Sequence, residues 1–331
     1  MNKVIVLYRR PIGKPVLGDF RLNIEEVPVP DDGEILLKTR YVSVDPYLRG
    51  RMNDAASYVP PFQLNKPIQS GIIAEVADSN HSGYKIGDIV SGNLVWKEYQ
   101  ISSGKGLQLI ETPDIYLTAN LGVLGMTGLT AYLGLTEIGV PKPGETLLVS
   151  GAAGAVGSIV GQIGKIMGCR VVGIAGSGQK VELLKSKFNF DEGINYKTNV
   201  DLDKAIKTAC PDGVDIYFDN VGGKISDAVL KNINKHARIP ICGAISLYNE
   251  TEEESGPYVQ PLLVRKSALM QGFLVSDYSE KFSEAKKQLF NWLKEGKLTY
   301  HETIINGFDQ IPHAFIELFE GLNEGKMIVK V

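Results

Sequence analysis

The sequence predicts an α/β chain in two parts: a mainly β region at the N-terminus, then a doubly wound parallel sheet. Three observations carry this expectation. The 331 residues exceed the usual size of one domain. Short β-like runs separated by Pro, Gly, Asn and Asp fill the first third, whereas from Thr146 continuous apolar strands alternate with segments of helical period. Between Leu147 and Met167 a strand, a glycine turn and a helix follow one another.

Along the first region the strand-like runs are Val4–Tyr8, Glu34–Val44, Gly71–Val76 and Ile89–Val95. The most apolar long stretch, Leu121 to Leu135, is broken by glycines and threonines and falls short of the ~20 residues that span a bilayer. It is read as a helix at a domain junction. Strands then follow at Thr146–Ser150, Arg170–Ile174, Val214–Phe218 and Arg238–Ile241, each with a mainly apolar run, as in strands covered by helices on both faces. The end of the chain offers a helix around Ser279–Leu293, a connector with His301, a helix near Ile311–Leu322 and a strand Met327–Val331, which together complete the first domain. The acidic run Glu250–Glu254 reads as a solvated loop, with a lid over the substrate as the alternative.

A net charge of −3 and the lack of any cluster of Lys and Arg with aromatics argue against nucleic acid as a partner. Three scattered cysteines, Cys169, Cys210 and Cys242, build no disulfide framework and fit a reducing compartment, the cytoplasm. Met1 to Arg10 has no secretory pattern, and no membrane association is expected.

The glycines of the turn are spaced Gly151-x-x-Gly154-x-x-Gly157. Such a turn brings main-chain N–H groups against a pyrophosphate at a helix N-terminus; an ordinary strand–helix turn would look similar, and the βαβ context favours dinucleotide binding. An NAD site places Asp or Glu at the end of the second strand to meet the ribose hydroxyls. This chain instead reads Ala175-Gly176-Ser177-Gly178-Gln179-Lys180, with no acid and one cation suited to the 2′-phosphate of NADP. Asp219-Asn220 closes a predicted strand, where open α/β sheets hold ligands, although a helix N-cap would serve the same residues.

Further segments, Ser43 to Met52, Phe218 to Gly223, Ile241 to Ser246 and Asn323 to Lys326, together with the glycine turn and Gly176 to Lys180, resemble the zinc-free prostaglandin reductase and alkenal/curcumin reductase branch of the medium-chain dehydrogenase/reductase superfamily. The resemblance spans nearly the whole chain. It implies a GroES-like β domain from residues 1–127 and 298–331, an inserted Rossmann domain at 128–297, an active site in the cleft between them, and a homodimer. NADPH would be held at positions matching Met126, Thr127, Gly154, Ala155, Val156, Gly157, Gly176, Ser177, Lys180, Tyr196, Asn220, Cys242, Gly243, Ala244, Ile245, Ser246, Tyr248, Phe273, Leu274, Val275 and Asn323. Tyr248 and Tyr58 match tyrosines on the substrate side, although bare sequence would make either a half-buried packing residue. Met126-Thr127-Gly128 departs from the Met-Pro-Gly of animal relatives.

The implied reaction is hydride delivery to the β-carbon of an enal or enone, with a hydroxyl stabilising the oxyanion. A zinc-free quinone or carbonyl reductase and a non-catalytic NADPH-binding protein are the alternatives. No metal is expected: the regions that carry ligands in zinc-dependent relatives read Ser43-Val44-Asp45 and Gln69-Ser70-Gly71, and His81, His236, His301 and His313 pair with no cysteine at ligand spacing.

Overall fold

The computed structural model describes residues 1–55, 57–252 and 255–331, so the acidic run Glu250–Glu254 lies outside the described residues at its last two positions. Two compact units emerge. Met1–Leu121, Glu302–Asn323 and Met327–Val331 form the first; Gly122–His301 and Glu324–Lys326 form the second.

The chain opens with β1 (Asn2–Leu7) and β2 (Phe20–Glu25), an antiparallel pair, followed by β3 (Ile35–Ser43), β4 (Gln69–Ser79), β5 (Ile89–Val95), β6 (Tyr99–Ser102) and β7 (Gln108–Leu109). The second unit runs α1 (Met126–Leu133), a π-helical turn Gly134–Gly139, β8 (Thr146–Val149), α2 (Gly157–Ile166), β9 (Arg170–Ala175), α3 (Gly178–Ser186), β10 (Glu192–Asn195), α4 (Leu202–Ala209), β11 (Val214–Phe218), α5 (Gly223–Leu230), β12 (Ile233–Ile241), α6 (Gln260–Lys266), β13 (Leu269–Gly272) and α7 (Phe282–Lys294). The return comprises β14 (Glu302–Asn306), α8 (Ile311–Glu320) and β15 (Lys326–Lys330).

In the first unit β15 and β4 flank β3 in a sheet ordered β14-β15-β3-β4-β5-β7, with β6 also paired to β3. The pleat sends Ile72, Ala74 and Val76 into a core shared with Leu37, Val42, Trp96, Phe315, Met327 and Val329, so residues from both ends of the chain close it. The Trp96 indole N–H, fully buried, donates to Ser70 Oγ at 2.8 Å.

In the second unit the sheet order is β10-β9-β8-β11-β12-β13, every neighbouring pair parallel. All of β8 is buried, which explains why its sequence is apolar without alternation. The order reverses direction between β8 and β11, and ligands of open α/β sheets bind beyond the carboxyl ends of the strands at such a switch point. The run Arg238–Ile241 is only the second half of β12. Its first half, Ile233 to Ala237, is too polar to read as a strand and contains His236 at φ +64°, where the register against β11 shifts.

Candidate active site

Beyond β8 the chain turns at Gly151, whose φ of +58° lies in the left-handed region that glycine enters without strain. Ala152 N–H donates to Ile174 O at 3.0 Å, tying the turn to the neighbouring β9, and Gly154 N–H closes it on Gly151 O at 3.0 Å. A Cβ on Gly157 would sit 2.4 Å from Gly151 O, so only glycine lets α2 begin directly against the turn. No side chain caps α2 at Val156, and since Ser158 and Ile159 N–H already donate to Gly154 O and Val156 O, the main chain just ahead of them is the part suited to an anionic group. Gly154, Ala155, Val156 and Gly157 thus form one main-chain surface. Gly325 pairs beside it: its N–H donates to Ala153 O at 2.8 Å, its φ is +65°, and a Cβ there would fall 1.9 Å from His301 O.

At the switch point the end of β11 is fixed by a buried carboxylate. Asp219 is 3% exposed, and its Oδ1 accepts from Ser150 Oγ at 2.9 Å, Tyr217 OH at 2.8 Å, Val221 N–H at 2.9 Å and Gly222 N–H at 2.9 Å. Ser150 Oγ in turn accepts from Asn220 N–H at 2.9 Å, while Asn220 Nδ2 donates to Ser150 O at 2.7 Å. Burial of an ionised group is tolerable only with such compensation. The helix cap that sequence allowed for Asp219-Asn220 is not formed: α5 begins after Gly222 with no side-chain cap, Asp219 holds the turn before it, and the Asn220 amide group braces the glycine turn.

At the end of β9, Ser177 caps α3 by accepting from Lys180 N–H at 3.1 Å. The space that a Cβ on Gly176 would take lies 3.2 Å from the Tyr196 ring, 3.4 Å from its hydroxyl and 3.4 Å from Lys197 Cε. The Lys180 ammonium is half-buried, and desolvation holds its pKa below the usual lysine value; the charge of Glu324 works in the opposite direction and that of Lys197 adds to the lowering. His301 joins this group, 2.7 Å from Lys187 Nζ through Nδ1 and 3.4 Å from Glu324 through Nε2.

Beyond β12, Cys242 and Gly243 N–H groups donate to Asp219 O at 2.8 and 3.2 Å, and Ser246 Oγ donates to Val221 O at 2.7 Å. The single turn Ile245–Leu247 then leads to Tyr248, whose hydroxyl accepts from Ala244 N–H at 3.3 Å and lies 3.0 Å from the position of a Cβ on Gly243. Desolvation, then the charge of Asp219, pushes the Cys242 thiol up to about 12, so it stays protonated and is no nucleophile. The Phe273 ring packs on Phe218 and Tyr278 and fills the space beside Gly134, and at the next residue Leu274 N–H donates to Asp277 Oδ2 at 3.3 Å. On α1, Met126 is 42% exposed, whereas Thr127 Oγ1 is buried with no hydrogen-bond partner.

An uncapped helix start behind a glycine turn, a lysine and a tyrosine at the end of β9, and an orphaned hydroxyl on α1 fit a dinucleotide. Tyr58 and Asn323 belong to the first unit. Tyr58 is 63% exposed and lies near Tyr47 and Arg51 electrostatically. Burial, then the charge of Asp45, raises the Tyr47 phenol well above its usual range, and Arg51 stacks on Phe62 at 4.0 Å. Tyr47 and Arg51 lie in the Ser43 to Met52 segment that carries the resemblance, but sequence alone gives neither them nor Lys197 a role, because only packing sets them apart. Among the described residues no group of three His, Cys, Asp or Glu side chains is placed to hold a metal.

Residues 3–110 match a family described as the N-terminal domain of oxidoreductase, and residues 155–293 one described as zinc-binding dehydrogenase. The chain is 60% identical over 330 residues to YfmJ of Bacillus subtilis (strain 168), provisionally named an NADP-dependent oxidoreductase, covering 99% of this chain and 97% of that one. It is 44% identical to the NADPH-dependent curcumin reductase of Escherichia coli (strain K12), covering 100% and 97%, and 43% identical to the NADP(+)-dependent 2-alkenal reductase of Nicotiana tabacum, also covering 100% and 97%. Among solved structures it is similar to CurA from Vibrio vulnificus in complex with NADPH, with a TM-score of 0.95, 44% identity and 99% of each chain covered.

Proposed function

Since the chain belongs to the zinc-free medium-chain dehydrogenases/reductases of the curcumin, alkenal and prostaglandin reductase branch, we propose that it is an NADPH-dependent reductase of the carbon–carbon double bond of α,β-unsaturated aldehydes and ketones. The observation that carries NADPH is the end of β9, where Lys180 and Tyr196 stand where an NAD site would present a carboxylate. The substrate class rests on relatives named for curcumin and 2-alkenal, each matched along this entire chain.

Bound NADPH would supply the hydride that the β-carbon receives. The main chain of Gly154 to Gly157 would hold the pyrophosphate and Lys180 the 2′-phosphate. Thr127 Oγ1, Asn220, the segment Cys242 to Ser246, the main chain at Phe273 to Val275 and Asn323 would position the remainder. Tyr248, with Tyr58 as second candidate, would donate its hydroxyl hydrogen to the substrate carbonyl oxygen as negative charge gathers there. The α-carbon would take its proton from solvent. No side chain supplies covalent chemistry.

Following NADPH oxidation with a panel of enals, enones, quinones and saturated aldehydes, with product identification, tests this reading. Saturation of the double bond with the carbonyl intact is expected; faster consumption of quinones or saturated aldehydes overturns the substrate class, and absence of turnover with every member leaves only a cofactor-binding protein.

The cytoplasm and a homodimer complete the proposal. β13 ends the parallel sheet with Leu269 47% exposed, beside α6 with Val264 80% exposed, which suits strand pairing between two copies. Light scattering at the monomer mass would remove the dimer.

A further inference from the structure

We propose that Lys197 is a second cation of the 2′-phosphate site and shares with Lys180 the discrimination between NADPH and NADH. The inference rests on the NADPH reading above and deepens it. Tyr196 and Lys197 follow β10, and Tyr196 N–H donates to Ala175 O at 3.1 Å, which draws this segment against the end of β9. Lys197 N–H is held by Asn195 Oδ1 at 3.1 Å, fixing the start of its side chain. Its Cε then lies 3.4 Å from where a Cβ of Gly176 would be, the same distance as the Tyr196 hydroxyl. The missing side chain of Gly176 thus leaves a small space lined by a phenol and a lysine stem, with Lys180 on the adjoining first turn of α3.

The charges agree with the geometry. Lys180 and Lys197 are close enough to oppose each other, and the Lys197 ammonium forms no ion pair among the described residues. Glu324 offsets the charge of Lys180 and is itself beside His301, which Lys187 also approaches. The balance is a surplus of cations about one small space. Two ammonium groups beside one phenol suit a phosphate monoester, which carries close to two negative charges and three acceptor oxygens. A ribose hydroxyl, by contrast, gains nothing from a second cation.

Calorimetric titration of the intact protein with 2′,5′-ADP and with 5′-AMP tests this, since the two probes differ only in the 2′-phosphate. Lys197→Ala is expected to weaken 2′,5′-ADP by about 5-fold and leave 5′-AMP unchanged, less than the ~10-fold or more expected at the more buried Lys180. Lys197→Arg should retain most of the affinity, and Lys197→Glu should lose more than the alanine variant. Unchanged 2′,5′-ADP binding in Lys197→Ala overturns the proposal, as does equal weakening of both probes, which would make Lys197 a packing residue over Gly176. A wild-type protein that binds 5′-AMP as tightly as 2′,5′-ADP would instead bring down the NADPH reading itself.

Discussion

The carboxyl ends of β11 and β12 lie side by side in one sheet and are built by opposite means. At β11, Asp219, Ser150, Tyr217 and Asn220 tie every nearby main-chain turn to a buried acceptor or donor. At β12, Ser246 Oγ donates to Val221 O, and among the described residues that follow Leu247 is 41% and Tyr258 89% exposed. The first end would meet a cofactor whose shape never varies, and rigid main chain suits it. The residues beyond Ser246 would meet the substrate, and side chains there can change without disturbing the sheet.

The sharpest way to break this contrast is at Asp219. Asp219→Ala leaves two buried hydroxyls and two N–H groups without their acceptor, so a loss of about 3–5 kcal/mol in unfolding free energy is expected by urea titration. Tyr217→Phe removes one donor and leaves the carboxylate its others, at a cost of about 1–2 kcal/mol. Similar, small losses in both variants would mean that the β11 end is no more tightly held than the loop beyond β12.

Lys180→Ala is next in size. A charge-assisted bond to phosphate is worth roughly 1.5–3 kcal/mol, so the dissociation constant for NADPH should rise about 10- to 150-fold while that for NADH barely moves. Some preference should survive through Ser177, Tyr196 and Lys197. Equal losses for both cofactors would assign Lys180 to the shape of the turn, and a wild-type preference for NADH would end the assignment.

The parallel sheet was legible because burial on both faces leaves an unbroken apolar signature, as in all of β8, and because the turn after it needs its glycines: Gly151 holds φ +58°, and a Cβ on Gly157 would meet Gly151 O at 2.4 Å. β10 was not, since Glu192-Gly193-Ile194-Asn195 contains a single large apolar side chain. Nor was the first half of β12, where the polar residues Asn234, Lys235 and left-handed His236 stand in a row. At the site, the presence of Lys180 could be read from the lack of an acid near it. The bracing role of Ser150 and Asp219 could not, because it depends on two strand ends 69 residues apart in sequence becoming neighbours. Lys197 and Tyr47 stand out only once the space around Gly176 and the burial around the phenol are seen.

Tyr248→Phe sharpens the comparison from the β12 side. The ring is kept and the hydroxyl gives up its hydrogen bond from Ala244 N–H, a contact at 3.3 Å between partly buried residues. If the hydroxyl stabilises a developing oxyanion, kcat/KM for an enone should fall ~10-fold, or about 1.4 kcal/mol, with the melting temperature nearly constant. A fall in melting temperature with unchanged kinetics would reverse the assignment and make Tyr248 a brace for its own loop. Tyr58→Phe is the companion variant.

The smallest expected effect is that of a chelator, and it follows from what occupies the positions where zinc-dependent relatives carry ligands. Ser43 Oγ donates to Asp45 Oδ2, both residues being buried, and Ser70 Oγ accepts from the indole of Trp96, so these side chains already serve the core of the first unit. His301 is engaged by Lys187 and Glu324, and His236 sits at a strained turn within β12. Zinc sites need three or four Cys, His or carboxylate ligands converging on one point, and no such group exists among the described residues, although the matched family of residues 155–293 is named for zinc. On the proposed reading hydroxyl groups stabilise the oxyanion, and exhaustive dialysis against a chelator should leave kcat/KM within about 2-fold of its starting value, since a lost catalytic metal would remove several kcal/mol of stabilisation. Abolished activity that zinc restores would transfer oxyanion stabilisation from the Tyr248 hydroxyl to a metal, and the contrast between the two strand ends would have to be redrawn around that ion.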